Sequence, residues 1–364
     1  MNNKIICHII SSMDLGGNER MLSAIIAGLD SNIYHNHIIF LDRGSDKSKF
    51  LKDYAEQSGV KTLVISSKGY FDWSVVKKLG SALKSVNPDI VHTHLYLAQI
   101  YGRIAARNAA VPVIISSEQN VYFYKKHFPF RLLEKYLSGF TTRIIASSNG
   151  VRQYLIDKVG IQKDKINVIY NCINVADFRA APNPAASDTV SIGALGHLHR
   201  QKGYEYLLDA AKMVSSSDPG ARFSIGGSGP LKGRLQRRIA ALGLEDKVRL
   251  AGFVDDAKAY LKTIDIFVMP SLWEGFGISA LEAMASGRPV IVSDVAGLNE
   301  LVEDGKSGLL VKPGDASGLA QKISMLCRDR DLRVELGKNA AERAGRFSCG
   351  EIIPLFGKLY DELT

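Results

Sequence analysis

The sequence predicts an α/β protein of two domains, each of the nucleotide-binding type. Three observations carry this. The chain has 364 residues, too many for one ordinary hydrophobic core. It opens with an apolar run over Lys4–Ser11, the glycine-containing stretch Asp14–Arg20 and an apolar-periodic segment over Met21–Leu29, which reads strand, glycine loop, helix. Short apolar runs then alternate with helical patterns, with no period of the solenoid type.

In the first domain, strands are predicted at His37–Leu41, Lys61–Ile65, Asp89–His94, Val113–Ser117, Arg143–Ser147 and Lys165–Tyr170, and a helix at Gly150–Val159. Sheets of this type present ligands at the carboxyl ends of their strands. Asp89-Ile-Val-His-Thr-His94 puts His94 at such an end, where it suits either a catalytic or acceptor-binding role or a hydrogen-bonded structural one. Residues 122–140 interleave aromatics with Lys125, Lys126, Arg131 and Lys135. That composition fits a segment lying on an anionic membrane surface, or a helix whose rings are core. Residues 180–188, with two prolines and small residues, read as the linker. The linker thus divides the chain at 180/181.

The second domain starts at Val190 with a strand and the loop Gly196-His-Leu-His-Arg-Gln-Lys202-Gly203. Phe223–Gly233 follows as strand, glycine turn and helix, a near miss to the dinucleotide fingerprint because Lys232 takes the place of its last glycine. Val248–Phe253 and Ile264–Met269 are further strands. The richest stretch comes next. Ser271–Gly277 is a loop in which Gly275 and Gly277 let the backbone approach a ligand. Ile278–Ser286 is a short helix ended by Gly287 and Pro289, and Val290–Ser293 is a buried-type strand. A helix N-terminus beside a glycine loop is a ready anion site. Glu274 and Glu282 bracket it, about 12 Å apart if both were helical. That scale suits a ligand with hydroxyl-bearing ends and a diphosphate between them, although spacing alone also allows two solvated glutamates.

Read in full, P-S-x-x-E-G-F-G-x-x-x-L-E-A-M-A-x-G-x-P-V-I from Pro270 to Ile291 resembles the E-x7-E signature of the retaining family 4 glycosyltransferases, which have the GT-B fold. The resemblance implies two Rossmann-like domains facing each other across a cleft, 1–180 and 181–346, with residues 347–364, which include the terminal helix Phe347–Leu363, packing back on the first. It implies that Glu274 binds donor-sugar hydroxyls, that Glu282 binds the ribose, and that the N–H groups of Phe276, Gly277 and Ile278 hold sugar and diphosphate. Residues 196–203 resemble G-R-L-x-x-x-K-G, whose Arg and Lys neutralise the diphosphate. Lys202 is retained, His197 replaces the Arg, and Arg200 is placed to restore the charge. Gly16-Gly17 resembles the family's N-terminal glycine loop. Gly227 and the backbone at Val254 fall where the nucleotide and base lie. Glu118 stands where many members carry a His, and it either contacts a sugar or satisfies nearby backbone. Asn171-Cys-Ile-Asn174 resembles the family turn N-G-I-D with two departures, one of them Cys172 in the glycine position.

The implied function is transfer of a sugar from a nucleotide-diphospho-sugar, with UDP favoured by family frequency, to a saccharide or lipid-linked acceptor. The implied setting is bacterial surface polysaccharide or glycolipid synthesis at the inner face of the cell membrane. No cofactor or metal is expected, because Asp329-Arg-Asp331, the sole D-x-D, is away from any strand end. An epimerase or phosphorylase with the same donor machinery is the alternative. A nicotinamide dehydrogenase is disfavoured by Lys232. The net charge of +9 is one-sided: residues 1–180 hold 23 basic and 14 acidic residues, and the remainder 23 of each. This points to an anionic partner for the first half, and no nucleic-acid motif accompanies it. Cys7, Cys172, Cys327 and Cys349 are scattered, which predicts a reduced cytoplasmic chain without a disulfide framework.

Overall fold

A computed structural model describes residues 3–13, 16–44, 49–69, 72–121, 128–179 and 189–364. The chain divides into two compact units, Met1–Cys172 with Cys349–Thr364 (unit 1) and Ile173–Ser348 (unit 2). The first division falls eight residues before the expected 180/181 boundary, and the expected linker at 180–188 lies outside the described residues.

Unit 1 is a seven-stranded parallel sheet of β1 (Lys4–Ile10), β2 (Tyr34–Asp42), β3 (Lys61–Ser66), β4 (Ile90–His94), β5 (Val113–Glu118), β6 (Arg143–Ala146) and β7 (Ile166–Val168), in the order β3-β2-β1-β4-β5-β6-β7. Every residue of β4 and β5 is buried, as expected of strands covered on both faces. The intervening helices are α1 (Gly17–Gly28), α2 (Phe50–Gln57), α3 (Ser74–Val86), α4 (Tyr96–Asn108), α5 (Phe128–Gly139) and α6 (Asn149–Tyr154). Ser148 caps α6 by accepting from the Val151 N–H at 3.1 Å. The predicted helix at 150–159 is in fact α6 followed by a single π turn, Leu155–Val159, closed by Gly160 at φ +83°.

Unit 2 repeats the plan with β8 (Val190–Leu195), β9 (Ala221–Gly226), β10 (Val248–Gly252), β11 (Ile266–Met269), β12 (Val290–Ser293) and β13 (Leu309–Val311), in the order β10-β9-β8-β11-β12-β13. Its helices are α7 (Tyr204–Ser217), α8 (Lys232–Ala241), α9 (Ala257–Lys262), α10 (Ile278–Ala285), α11 (Leu298–Leu301), α12 (Ala316–Arg328) and α13 (Arg330–Ala344). Asp329 of the D-x-D caps α13 through the Leu332 N–H, which is a structural use. Both sheets therefore reverse direction beside their first strand, between β1 and β4 and between β8 and β11, and ligands of such sheets bind at that reversal.

The chain then returns to unit 1 as α14 (Cys349–Leu363). Ile352, Ile353, Phe356, Leu359 and Tyr360 pack against Ile6, Met21, Ile25, Leu29 and Tyr34 in one core. Gly28 permits this approach, since a Cβ there would lie 2.9 Å from Ile353. The expectation of four unpaired cysteines is corrected here. Cys172 and Cys349 are bonded, with their Cα atoms 5.0 Å apart, and only the return of α14 brings together residues 177 apart in sequence.

Candidate active site

In unit 2, three loops leave the carboxyl ends of β8, β9 and β11 and are fastened to one another by backbone. Leu198 N–H donates to Ser228 O at 2.8 Å, Leu231 N–H to Leu198 O at 3.1 Å, and Leu272 N–H to Gln201 O at 2.7 Å. Two glycines make such closeness possible. Gly203 adopts φ +64° with its α-hydrogen against Pro270 O, and Gly227 adopts φ +143° against Gly196 O; a Cβ at either would collide with that carbonyl. Gly227, chosen from sequence as nucleotide-binding, thus has a structural requirement of its own.

At this junction Lys202 Nζ meets Glu274 Oε2 at 2.5 Å, with Gln201 Nε2 donating to Oε1 at 3.3 Å. Glu274 is 8% exposed. Lys202 is half-buried, so the pair compensates chiefly the buried carboxylate of Glu274, which alone would be left without a counter-charge. Beneath the pair, burial pushes the Tyr204 hydroxyl far above its ordinary pKa, with lesser contributions from Tyr260 and Glu274. Arg200 and His197 are exposed on the same loop, His197 stacked on His199 with ring centroids 6.4 Å apart. Arg200–Lys202 forms a single 3-10 turn, capped by the His199 ring accepting from Gln201 N–H.

The helix after β11 begins where predicted. Gly277 is its N-cap at φ +99°, and a Cβ there would strike Leu298. Gly275 does not share this conformation, so of the two loop glycines only Gly277 needs positive φ. A further glycine, Gly297, which sequence reasoning missed, makes room for the loop backbone at Gly275. At φ +83°, Gly297 lies against Gly275 O and Phe276 N, where any side chain would collide. Ser279 Oγ donates to Leu195 O at 3.0 Å, pinning the start of α10 to the end of β8. Gly277 and Ile278 therefore supply the first N–H groups of α10 at the sheet's reversal, Phe276 comes immediately before the N-cap, and Glu282 lies buried on that helix. Val254 follows β10 half-buried, its side chain against Gly226.

The remaining candidates belong to unit 1. Gly16 is the N-cap of α1 and Gly17 its first residue. Glu118 ends β5 and is 1% exposed. His94 is built into a buried histidine cluster: its Nε2 lies 3.1 Å from His8 Nδ1, and its ring centroid is 4.1 Å from that of His92. His92 in turn bonds Tyr360 Oη at 2.8 Å and Ser117 Oγ at 2.7 Å, joining the cluster to α14. Burial holds all three rings below their ordinary pKa, His8 at about 4. One nitrogen from each lies within 4.8 Å of the others, a spacing open to a metal ion, but His92 already spends both of its nitrogens. These contacts favour the structural role for His94. His8 was missed because a lone histidine inside a strand carries no sequence signal.

The rings of α5 are also resolved. Its inner face holds Glu134, paired with buried Arg103 at 2.8 Å, and Leu137. Phe128 and Tyr136 are 68% and 60% exposed, with Phe130 and Leu132 also outward, so these rings are not core. Residues 122–127 lie outside the described residues.

Comparison with known proteins gives these features a family. Residues 177–343 match the family described as Glycosyl transferases group 1, and residues 15–177 match Glycosyltransferase Family 4. The structure is similar to that of Anabaena Alr3699/HepE in complex with UDP and glucose, with TM-score 0.86 at 22% identity over 99% of this chain and 100% of that one. It is also similar to sucrose-phosphate synthase from Thermosynechococcus elongatus, with TM-score 0.80 at 21% identity over 99% of each. At that identity the likeness is one of fold. In sequence, a D-inositol 3-phosphate glycosyltransferase of Streptomyces bingchenggensis is 29% identical over 75% of this chain and 66% of its own length. The UDP-Gal:alpha-D-GlcNAc-diphosphoundecaprenol alpha-1,3-galactosyltransferase of Escherichia coli is 30% identical over 81% of this chain and 80% of its own. A likeness of that extent spans both units, and with it the chain belongs to the family 4 glycosyltransferases of the GT-B fold.

Proposed function

We propose that this glycosyltransferase moves a hexosyl or N-acetylhexosaminyl group from a UDP-sugar to a saccharide or lipid-linked acceptor, with retention of configuration, in the assembly of a bacterial surface polysaccharide or glycolipid. The observation that carries the reading is the part-buried Lys202–Glu274 pair at the reversal of the unit 2 sheet, beside the N-terminus of α10. In this reading Lys202, the exposed Arg200 and the α10 N–H groups stabilise charge as the diphosphate leaves the anomeric carbon. Glu274 holds donor hydroxyls and Glu282 the ribose, while the backbone at Gly227 and Val254 meets the nucleotide. The leaving phosphate takes the acceptor proton in an oxocarbenium-like transfer on one face. No metal is required, because fixed cationic groups serve the diphosphate. Unit 1 supplies the acceptor side, with Glu118 as its polar contact.

The relative from Escherichia coli, named for a UDP-sugar donor and a diphosphoundecaprenol acceptor, supports the donor and acceptor classes. The outward rings of α5 and the positive excess of residues 1–180 support docking of unit 1 at the inner face of the membrane. A thermal-shift titration with UDP, GDP, ADP and NAD, on the parent and on Glu282→Ala, tests the donor site. UDP at about 100 times its dissociation constant is expected to stabilise the parent by roughly 2.7 kcal/mol. The variant is expected to lose most of that. Stabilisation by GDP or ADP instead would replace the base, and a response to NAD alone would overturn the reading.

A further inference from the structure

Unit 1 is left by the chain at Cys172 and re-entered at Cys349, so both connections to unit 2 begin or end on one of the two bonded cysteines. Immediately beyond, the connections run side by side: Ile173 and Ser348 form an isolated parallel bridge, and Ile173 N–H donates to Phe347 O at 3.3 Å. Cys172 stands where the resembled turn N-G-I-D has glycine.

We propose that Cys172 and Cys349 form a reversible thiol–disulfide switch that fastens the start of α14 at the double crossing. Their placement gives each sulfur a part. Cys349 is half-buried and is the first residue of α14, where the helix dipole favours a thiolate and solvent can reach it. Cys172 is 5% exposed in the core under α14, with Met21 Sδ 3.9 Å from its sulfur. Cys349 is therefore the attacking thiol and Cys172 the resolving one. A Cα separation of 5.0 Å lets the bond close without backbone movement.

The oxidant is a low-molecular-weight disulfide. The Cys349 thiolate attacks one of its sulfurs, expelling one small thiolate and leaving a mixed disulfide. The Cys172 thiolate then attacks Cys349 Sγ and expels the second. Two protein thiols lose two protons and two electrons, and the small disulfide becomes two thiols. Cys7 and Cys327 take no part, since burial pushes both thiols up to about 12. In the reduced state α14 is held by its apolar face, by Tyr360 on His92 and by Tyr34 donating to Asp361 at 2.9 Å.

The test equilibrates the full chain in reduced and oxidised glutathione at a series of ratios, quenches in acid, alkylates in denaturant and maps the protected thiols by mass spectrometry. Protection is expected only at Cys172 and Cys349, together, with a single midpoint and full reversal by dithiothreitol. Cys349→Ser is expected to abolish protection of Cys172. In the wild-type chain, reduction is expected to speed amide exchange in the first turns of α14 at least about tenfold and to lower the thermal midpoint by about 5–10 °C. Alkylation of both cysteines at every ratio would overturn the switch. A pair that forms but leaves exchange and midpoint unmoved would overturn the fastening. The comparison of reduced and oxidised wild type stands even if a serine variant fails to fold.

Discussion

Lys202 and Glu274, 72 residues apart in sequence, hold each other at the end of two neighbouring strands. The half-buried ammonium keeps the buried carboxylate of Glu274 from being a lone charge away from water, a situation that costs several kcal/mol. The unit 1 histidines are the opposite case, since they are buried without charge. His8 falls from 6.5 to about 4, and His92 and His94 also lie well below 6.5, because burial disfavours the protonated ring. The unfolded chain therefore takes up protons below pH 6.5 that the folded chain refuses. Their contribution is full above pH 6.5 and is lost as pH falls toward 4, by up to about 1.4 kcal/mol per pH unit for each group. Urea midpoints from pH 8 to 4 are expected to be level and then to drop steeply, and His8→Asn is expected to flatten the drop. A level profile down to pH 5 would contradict this assignment. The positions of Glu274, Gly277 and Glu282 were legible because a long motif spells them in order, and that of Lys202 because the shorter stretch 196–203 does. Gln201 and Gly297 were not, because their roles arise from loops that meet only in three dimensions, nor was His8, whose partner His94 lies on a neighbouring strand.

Elements were legible where burial imposes a pattern. Parallel strands covered on both faces read as short apolar runs, so β1, β4, β5 and β12 fall within a residue or so of expectation. The outward face of α5 was not legible, since aromatics at helical spacing look alike whether they face core or solvent. Nor was the closeness of α1 and α14. Gly28→Ala is expected to overpack that contact and cost about 1–3 kcal/mol by urea unfolding. Gly139→Ala, at the end of α5 with nothing within 4 Å of the added carbon, is expected to be neutral or slightly stabilising. Equal effects at the two sites would show that α1 and α14 are looser than their spacing implies.

Across the whole molecule, charge and topology tell different things. The two-unit plan was legible from length and alternation, whereas the disulfide was not, because its partners are 177 residues apart and only the return of α14 joins them. All of the net positive charge belongs to residues 1–180. The protein is expected to sediment with vesicles containing anionic lipid at low salt, to release near 1 M salt, where the screening length is about 3 Å, and to bind less well as Phe130→Ser or Tyr136→Ser. Equal binding to neutral vesicles, or none to either, would remove the membrane from the account and leave the transferase intact.

The return of α14 also sets an order of events during synthesis. Residues 173–348 leave the ribosome as one continuous stretch and can complete unit 2 while unit 1 still lacks Cys349–Thr364. Through that interval the apolar seat made by Met21, Ile25, Leu29 and Tyr34 stands uncovered. A chain broken before Cys349 would thus carry a finished unit 2 joined to an open unit 1, and the exposed seat would hand it to chaperones and proteases.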